Sequence, residues 1–102
     1  MTVRAWLRGR APAAPPHLFA RVDQALGRRG DRPLTEAPEQ CVDAAEELLR
    51  ELLARPTAGR DSALDLLAVD ALMTYAFEAA ASEPDALGDR ADHAMTRLAS
   101  LA

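Results

Sequence analysis

Four polar residues stand at three- and four-residue steps within the most apolar stretch of the chain, residues 61–82, and they are the residues best placed for chemistry. They are Asp70, Thr74, Tyr75 and Glu78. On a helix, side chains at these steps share one side, so two carboxylates and two hydroxyl groups would lie together. This pattern predicts a possible ligand site in a pocket between helices. A lone acid on a helix is usually exposed, so the simpler interpretation is that Asp70 marks the solvent edge of the helix.

The other candidates for catalysis or metal binding do not converge in the sequence. Cys41 is the only cysteine and falls on an apolar helix face, which favours a buried core residue over a reactive thiol. Asp89 and His93 are four residues apart, a spacing typical of one hydrogen bond, whereas a metal site needs three or four ligands. His17 lies on a separate element. We therefore assign no catalytic residue, no metal ligand and no cofactor from the sequence.

Two segments of opposite charge make up the chain. Residues 1–32 carry seven arginines against two acids, and residues 33–102 carry five arginines against fourteen acids, so their charges are +5 and −9. This asymmetry favours docking of the basic segment on the acidic helices of its own or a neighbouring subunit. The pI near 5.1 argues against a dedicated nucleic-acid binder.

Hydrophobic spacing predicts four helices, at about 16–27, 37–55, 61–82 and 85–101. The third is apolar on nearly every side, which is typical of a buried helix. Asp61 or Ser62 should cap its first turn, Asp65 should complete a capping box, and Pro84 should end it.

The helix at 37–55 shows the cleanest amphipathic pattern of the chain. Cys41 and a series of leucines lie on one face, and acids lie on the other. On the acidic face we expect two ion pairs at four-residue spacing, Glu46 with Arg50 and Glu51 with Arg55.

A short amphipathic helix, residues 2–8, precedes the bundle on a linker that contains Pro12, Pro15 and Pro16. The sequence thus divides into a basic N-terminal segment with its linker, residues 1–15, and a helical domain, residues 16–102. Trp6 must pack on the bundle or insert into a partner or a membrane interface, because so short a helix is unstable alone. The residues predicted to contact a partner are Arg4, Trp6, Leu7 and Arg8.

The run AVDALMTYAFEAAA, residues 68–81, resembles one helix of the all-α prenyl diphosphate synthases, a large helical family that uses magnesium. Those enzymes carry aspartate-rich metal motifs, whereas no two aspartates are adjacent here. We carry no function over from this resemblance.

These observations predict an all-α fold, a small bundle of four main helices with a short N-terminal helix on a proline-rich linker. Alanine-rich faces bury little area, so self-association is a reasonable way to bury more. We expect a non-enzymatic interaction or structural module, a homo-oligomer or a subunit of a larger assembly. The alternative is a small enzyme or a ligand- or cofactor-binding bundle with a site around Asp70.

The single cysteine and the lack of an apolar signal-peptide core indicate the cytoplasm. A second copy or another protein is favoured as partner over nucleic acid, and contact of the N-terminal segment with a membrane surface is a weaker alternative.

Overall fold

The computed structural model describes residues 1–10, 15–55, 59–81 and 84–101, with the side chains of residues 60, 61 and 84–91 left aside. The five helices of this part of the chain are α1 (Val3–Arg10), α2 (Pro16–Leu26), α3 (Ala37–Ala54), α4 (Arg60–Ala80) and α5 (Pro84–Ala99). Two 3₁₀ turns, Gly27–Asp31 and Leu34–Glu36, connect α2 to α3. No strand occurs in the described ranges, and the predicted all-α bundle of four main helices is confirmed.

Helices α3 and α4 form the centre of the bundle. Cys41 and Ala45 of α3 and Ala68 and Leu72 of α4 are fully buried in one core cluster. The end of α3 contacts the start of α4 through Arg55, which binds Asp65, so the two helices run antiparallel. Helices α2 and α5 pack on this pair, and α1 packs beside the 3₁₀ turns.

Helix α1 is attached through its backbone as well as its apolar face. The Val3 N–H donates to the carbonyl of Arg32 at 2.9 Å, and the Leu34 N–H donates to the carbonyl of Met1 at 2.9 Å. Val3 and Leu7 are buried in the core cluster. A helix of eight residues is too short to be stable alone, so these contacts hold it in place.

Arg4 ties α1 to the turn that follows α2. Its Nε donates to Asp23 at 2.8 Å, and its terminal nitrogens donate to Asp31 and to the carbonyl of Gly27. Gly27 ends α2 with a positive φ of 53°, a conformation that glycine adopts without steric penalty. A Cβ at Gly30 would lie 2.7 Å from the guanidinium carbon of Arg4, so only glycine leaves room for this contact.

The first turn of α4 differs from the predicted capping box. The residue that precedes the helix is Gly59, which has no side chain to cap the first turn, and the side chain of Asp61, one of the two predicted caps, lies outside the described part of the chain. Asp65 instead turns into the bundle, where it accepts hydrogen bonds from Arg21 and Arg55 at 2.6 Å each. Burial opposes ionisation of Asp65, but the two guanidinium groups outweigh it, so the pKa of Asp65 lies below its ordinary value. The predicted ion pair between Glu51 and Arg55 is therefore wrong, because Arg55 binds Asp65.

Helix α4 is not enclosed on every side, in contrast to the prediction. Ala68, Leu72 and Ala76 are buried, whereas Leu66 and Leu67 are 52% and 54% exposed. The neighbouring helices cover only part of its circumference. Within the described chain, none of the helices combines the length and the apolar character needed to cross a membrane.

Candidate functional site

A cleft of about 380 Å³ lies between α3, α4 and α5. Its apolar lining comes from Pro38, Val42, Ala76, Phe77, Ala80 and Ala94. Ligand sites in proteins have volumes of roughly 300–1,000 Å³ and are lined mainly by apolar groups with a few polar ones. The cleft therefore has the size and the lining of a small-molecule site.

Three alanines account for the space. Ala76, Ala80 and Ala94 are at most 3% exposed, so they lie where α4 and α5 approach closely. The methyl side chain of alanine permits this close approach but fills little of the space between the helices. The cleft is therefore less tightly packed than the rest of the core. Phe77 remains half-buried at the edge of the cleft and offers a ring to an apolar ligand.

A cluster of ion pairs forms the polar rim on one side of the cleft. Arg97 of α5 lies with Nη1 2.6 Å from Oδ1 of Asp43, and its Nε donates to Oε2 of Glu46 at 2.7 Å. The other oxygen of Glu46 accepts from Arg50 at 3.2 Å, which confirms the predicted pair. The hydrogen bond between Arg97 and Glu46 raises the pKa of Arg97 and lowers the pKa of Glu46. We call these four residues the Arg97 cluster.

The described polar groups around the cleft are mainly charged side chains. Glu39 and His93 complete the polar lining. Together with the Arg97 cluster they supply three carboxylates and two guanidinium groups, and both guanidinium groups already bind carboxylates of the cluster. Glu39 also has a partner, so the charged groups named for this rim are all engaged.

The second notable surface is the side of α4 that the other helices leave uncovered. Its residues Ala63, Leu66, Leu67, Asp70 and Thr74 are all exposed. At 100° per residue they occupy an arc of roughly 100°. We call this arc the α4 outer face. Leu66 and Leu67 lie at the two edges of the arc, with Ala63, Asp70 and Thr74 between them, and they are the two large apolar side chains of the five.

The four residues predicted to form a ligand site do not line the cleft. Asp70 is exposed and marks the solvent edge of α4, as the simpler interpretation predicted. The Thr74 hydroxyl donates to the carbonyl of Asp70 at 3.0 Å. Tyr75 and Glu78 contact α1 instead, Glu78 through an ion pair with Arg10 at 2.5 Å. Burial and the nearby Glu78 raise the pKa of Tyr75. A ligand site at these four residues stays a prediction.

Of the four residues predicted to contact a partner, three contact their own chain. Trp6 packs edge-to-face on Tyr75, with ring centroids 6.3 Å apart at 79°, and the Arg10 guanidinium lies 4.7 Å from the Trp6 ring centroid. Leu7 is buried, and Arg4 binds Asp23 and Asp31. Arg8 is exposed and has no ion-pair partner among the described residues. Partner binding by these residues also stays a prediction.

The basic segment docks on the acidic helices of its own chain, as the charge asymmetry predicted. Four of its arginines bind acids beyond residue 32. The pairs are Arg10 with Glu78, Arg21 with Asp65, Arg29 with Glu47 and Arg32 with Glu36.

The groups that could serve as nucleophile or base lie apart in the described structure. Cys41 is fully buried, and burial raises the pKa of its thiol to about 12, so it stays protonated at neutral pH. His17 and His93 are exposed on different helices. The predicted hydrogen bond between Asp89 and His93 lies outside the described side chains. Among the side chains that are described, no three metal-binding residues come close enough to hold an ion.

Sequence reasoning missed both the cleft and the partners of Asp65. Arg21 is 44 residues from Asp65, and spacing along a helix carries no information on such a pair. The alanines at 76, 80 and 94 were visible as a small-residue pattern, but the pattern does not show where three helices leave a gap.

Comparisons of the chain with protein-family models, with curated proteins and with solved structures found no match.

Proposed function

We propose that the protein is a non-enzymatic helical interaction module that self-associates through the α4 outer face. The observation that supports this most directly is the pair Leu66 and Leu67, adjacent residues in the middle of a helix that are each more than half exposed. Single exposed apolar residues are common on protein surfaces, whereas large contiguous apolar patches are typical of interaction sites.

The charge on this face favours a second copy in antiparallel orientation. A two-fold axis between Leu66 and Leu67 would bring the leucines of two copies together. It would also place Asp70 of one copy opposite Ala63 of the other, so that two carboxylates do not meet. Ala63 lies in the first turn of α4, where the helix dipole favours a negative charge.

The area available predicts weak association. Full burial of a leucine contributes about 1.5–3 kcal/mol, and about half of each exposed leucine is left to bury, so four leucines contribute roughly 3–6 kcal/mol. Association of two proteins costs at least about 4 kcal/mol in lost freedom. The leucines alone therefore leave a net gain of at most about 2 kcal/mol, so a Kd of about 1 mM requires further contacts along the α4 outer face.

The proposal is tested by sedimentation between about 10 μM and 1 mM protein, a range in which a Kd of about 1 mM or tighter is detected. The double variant Leu66→Gln/Leu67→Gln keeps helix propensity and removes the apolar side chains, so it should weaken association at least about tenfold. Leu53→Gln is the matched control, because Leu53 on α3 is 55% exposed and outside the face. A wild-type protein that stays monomeric at about 1 mM, or equal weakening by Leu53→Gln, would contradict the proposal.

The N-terminal segment is proposed as a secondary contact through Arg8, which is exposed beside the otherwise packed α1. Arg8→Gln in the same sedimentation assay measures its contribution. We further propose a cytoplasmic protein, because the chain has a single, buried cysteine and so does not depend on an internal disulfide. Nucleic acid is disfavoured as a partner because most arginines of the basic segment already bind acids of the same chain.

A further inference from the structure

We propose that the cleft between α3, α4 and α5 binds a small uncharged molecule with an apolar body and one hydroxyl group, which His93 holds by a hydrogen bond. None of the residues of the α4 outer face is among the described lining residues of the cleft, so the proposal does not depend on self-association. The volume of the cleft, its apolar lining and the contacts of its polar groups each limit the ligand.

The volume and the lining set the size and the body of the ligand. The cleft measures about 380 Å³, and a water molecule occupies about 30 Å³ in the liquid, so there is room for roughly a dozen non-hydrogen atoms. Phe77 offers a half-buried ring at the edge of an otherwise aliphatic lining. Aromatic rings pack favourably on one another in offset or edge-to-face arrangements, so a ring with a short alkyl chain fits this space.

The charged groups described at the rim already have partners, so none is left for a charge on the ligand. Arg97 binds Asp43 at 2.6 Å and Glu46 at 2.7 Å, and Glu39 has a partner as well. A charged ligand would have to break one of these contacts or lose water without gaining a counter-charge, and both are unfavourable beside an apolar cavity. An uncharged ligand meets neither penalty.

His93 is the polar lining residue that can still form a hydrogen bond with a ligand. Its side chain is exposed and makes no hydrogen bond or ion pair with any other described residue. A neutral imidazole has one N–H donor and one acceptor nitrogen, and a hydroxyl group likewise donates and accepts, so the two groups match. The next residue, Ala94, is buried in the apolar lining, so the hydroxyl group would lie at the mouth of the cleft with the apolar body inside.

The test compares three probes on the ¹⁵N-labelled full chain. 4-Phenylbutanol, 4-phenylbutylamine and 4-phenylbutyrate share one apolar body of the required size and carry an uncharged, a positive and a negative end group. Binding is followed by the amide chemical shifts of Phe77 and Ala94. We expect the alcohol to bind with a Kd of about 1 mM or tighter, and at least about threefold more tightly than either charged probe.

Two pairs of variants locate the site and the hydrogen bond. Ala80→Leu places a larger side chain in the cleft and should abolish binding of the alcohol, whereas Ala81→Leu makes the same change at the next, exposed residue and should leave binding unchanged. His93→Ala should weaken binding of the alcohol about two- to tenfold, the range expected for one lost hydrogen bond. His17→Ala removes an exposed histidine of α2, outside the cleft, and should have no effect.

If Ala80→Leu fails to fold, the three probes and the histidine variants still decide the matter. The proposal would be overturned by a charged probe that binds as tightly as the alcohol, or by a His93→Ala variant that binds the alcohol as tightly as wild type. The absence of a saturable shift with about 5 mM alcohol would overturn it as well.

Discussion

Replacement of Asp65 with asparagine tests whether one buried carboxylate holds three helical elements together. Its side chain is 5% exposed and binds Arg21 of α2 and Arg55 at the end of α3. Asparagine has the same shape and no charge, so the two arginines would lose their common partner. Removing one member of a buried ion pair costs about 3–5 kcal/mol.

The expected loss is smaller than that range because the arginines are partly solvated. The side chains of Arg21 and Arg55 are 19% and 38% exposed, so water compensates part of the lost attraction. We expect Asp65→Asn to lower the free energy of unfolding by about 2–3 kcal/mol at pH 7. For a domain of this size the melting temperature should fall by about 10–20 °C.

The dependence on pH gives a second measure of the same contact. The pKa of Asp65 is lowered in the folded state, although burial alone would raise it. A carboxylate of this kind contributes stability above its unfolded pKa of about 3.9, and the contribution is lost as the pH falls through the folded pKa. The difference between wild type and Asp65→Asn should therefore be complete at pH 7 and should shrink below about pH 4.

Urea unfolding followed by circular dichroism at several pH values measures both effects. Glu36→Gln is a suitable control, because Glu36 also binds an arginine but in an exposed pair. The reasoning would be refuted by a variant that unfolds at the same urea concentration as wild type. A difference that stays constant down to pH 2 would refute the role assigned to the charge.

Three further predictions concern other contacts of the fold. Gly30→Ala should displace the Arg4 guanidinium and lower stability by about 1–2 kcal/mol, because the new Cβ would lie 2.7 Å from it; urea unfolding measures the loss. Cys41, with a pKa of about 12, should react with a thiol reagent at pH 7.5 at least about a thousandfold more slowly than in the unfolded chain, as a colorimetric thiol assay would show. Arg97→Met should leave two carboxylates of α3 without their partner on α5 and lower the free energy of unfolding by about 1–2 kcal/mol, with faster amide exchange along α5 than along α4.

The helices were predictable because their signals are local. Pro16 starts α2 and Gly27 ends it, and the apolar spacing of α3 from Cys41 to Leu48 matches the buried face that the structure shows. Each of these signals depends on residues within one or two turns. Proline fixes its own backbone angle φ, and glycine permits positive φ, in whatever fold these residues occur.

The surroundings of α4 were not predictable in the same way. Asp65 follows Ser62 by three residues, which matches a capping box, but the arginines that bind it come from α2 and from the end of α3. Leu66 and Leu67 are as apolar as Leu72, and only the placement of the neighbouring helices leaves the first two exposed. Burial on an apolar helix depends on which neighbours reach it, and spacing along the helix does not encode that.

The cleft and the α4 outer face lie on the same helix and can be tested separately. Ala76 and Ala80 are buried beside the cleft, whereas Leu66 and Leu67 are more than half exposed nearer the start of α4. Leu66 and Phe77 are eleven residues apart and point in nearly the same direction around the axis, so the two surfaces are separated only along the helix, by about 16 Å. Filling the cleft with Ala80→Leu should therefore leave self-association unchanged, as sedimentation of the variant would show. If Ala80→Leu weakened self-association as strongly as Leu66→Gln/Leu67→Gln, the cleft and the α4 outer face would be coupled through α4, and the distance between them would not make them independent.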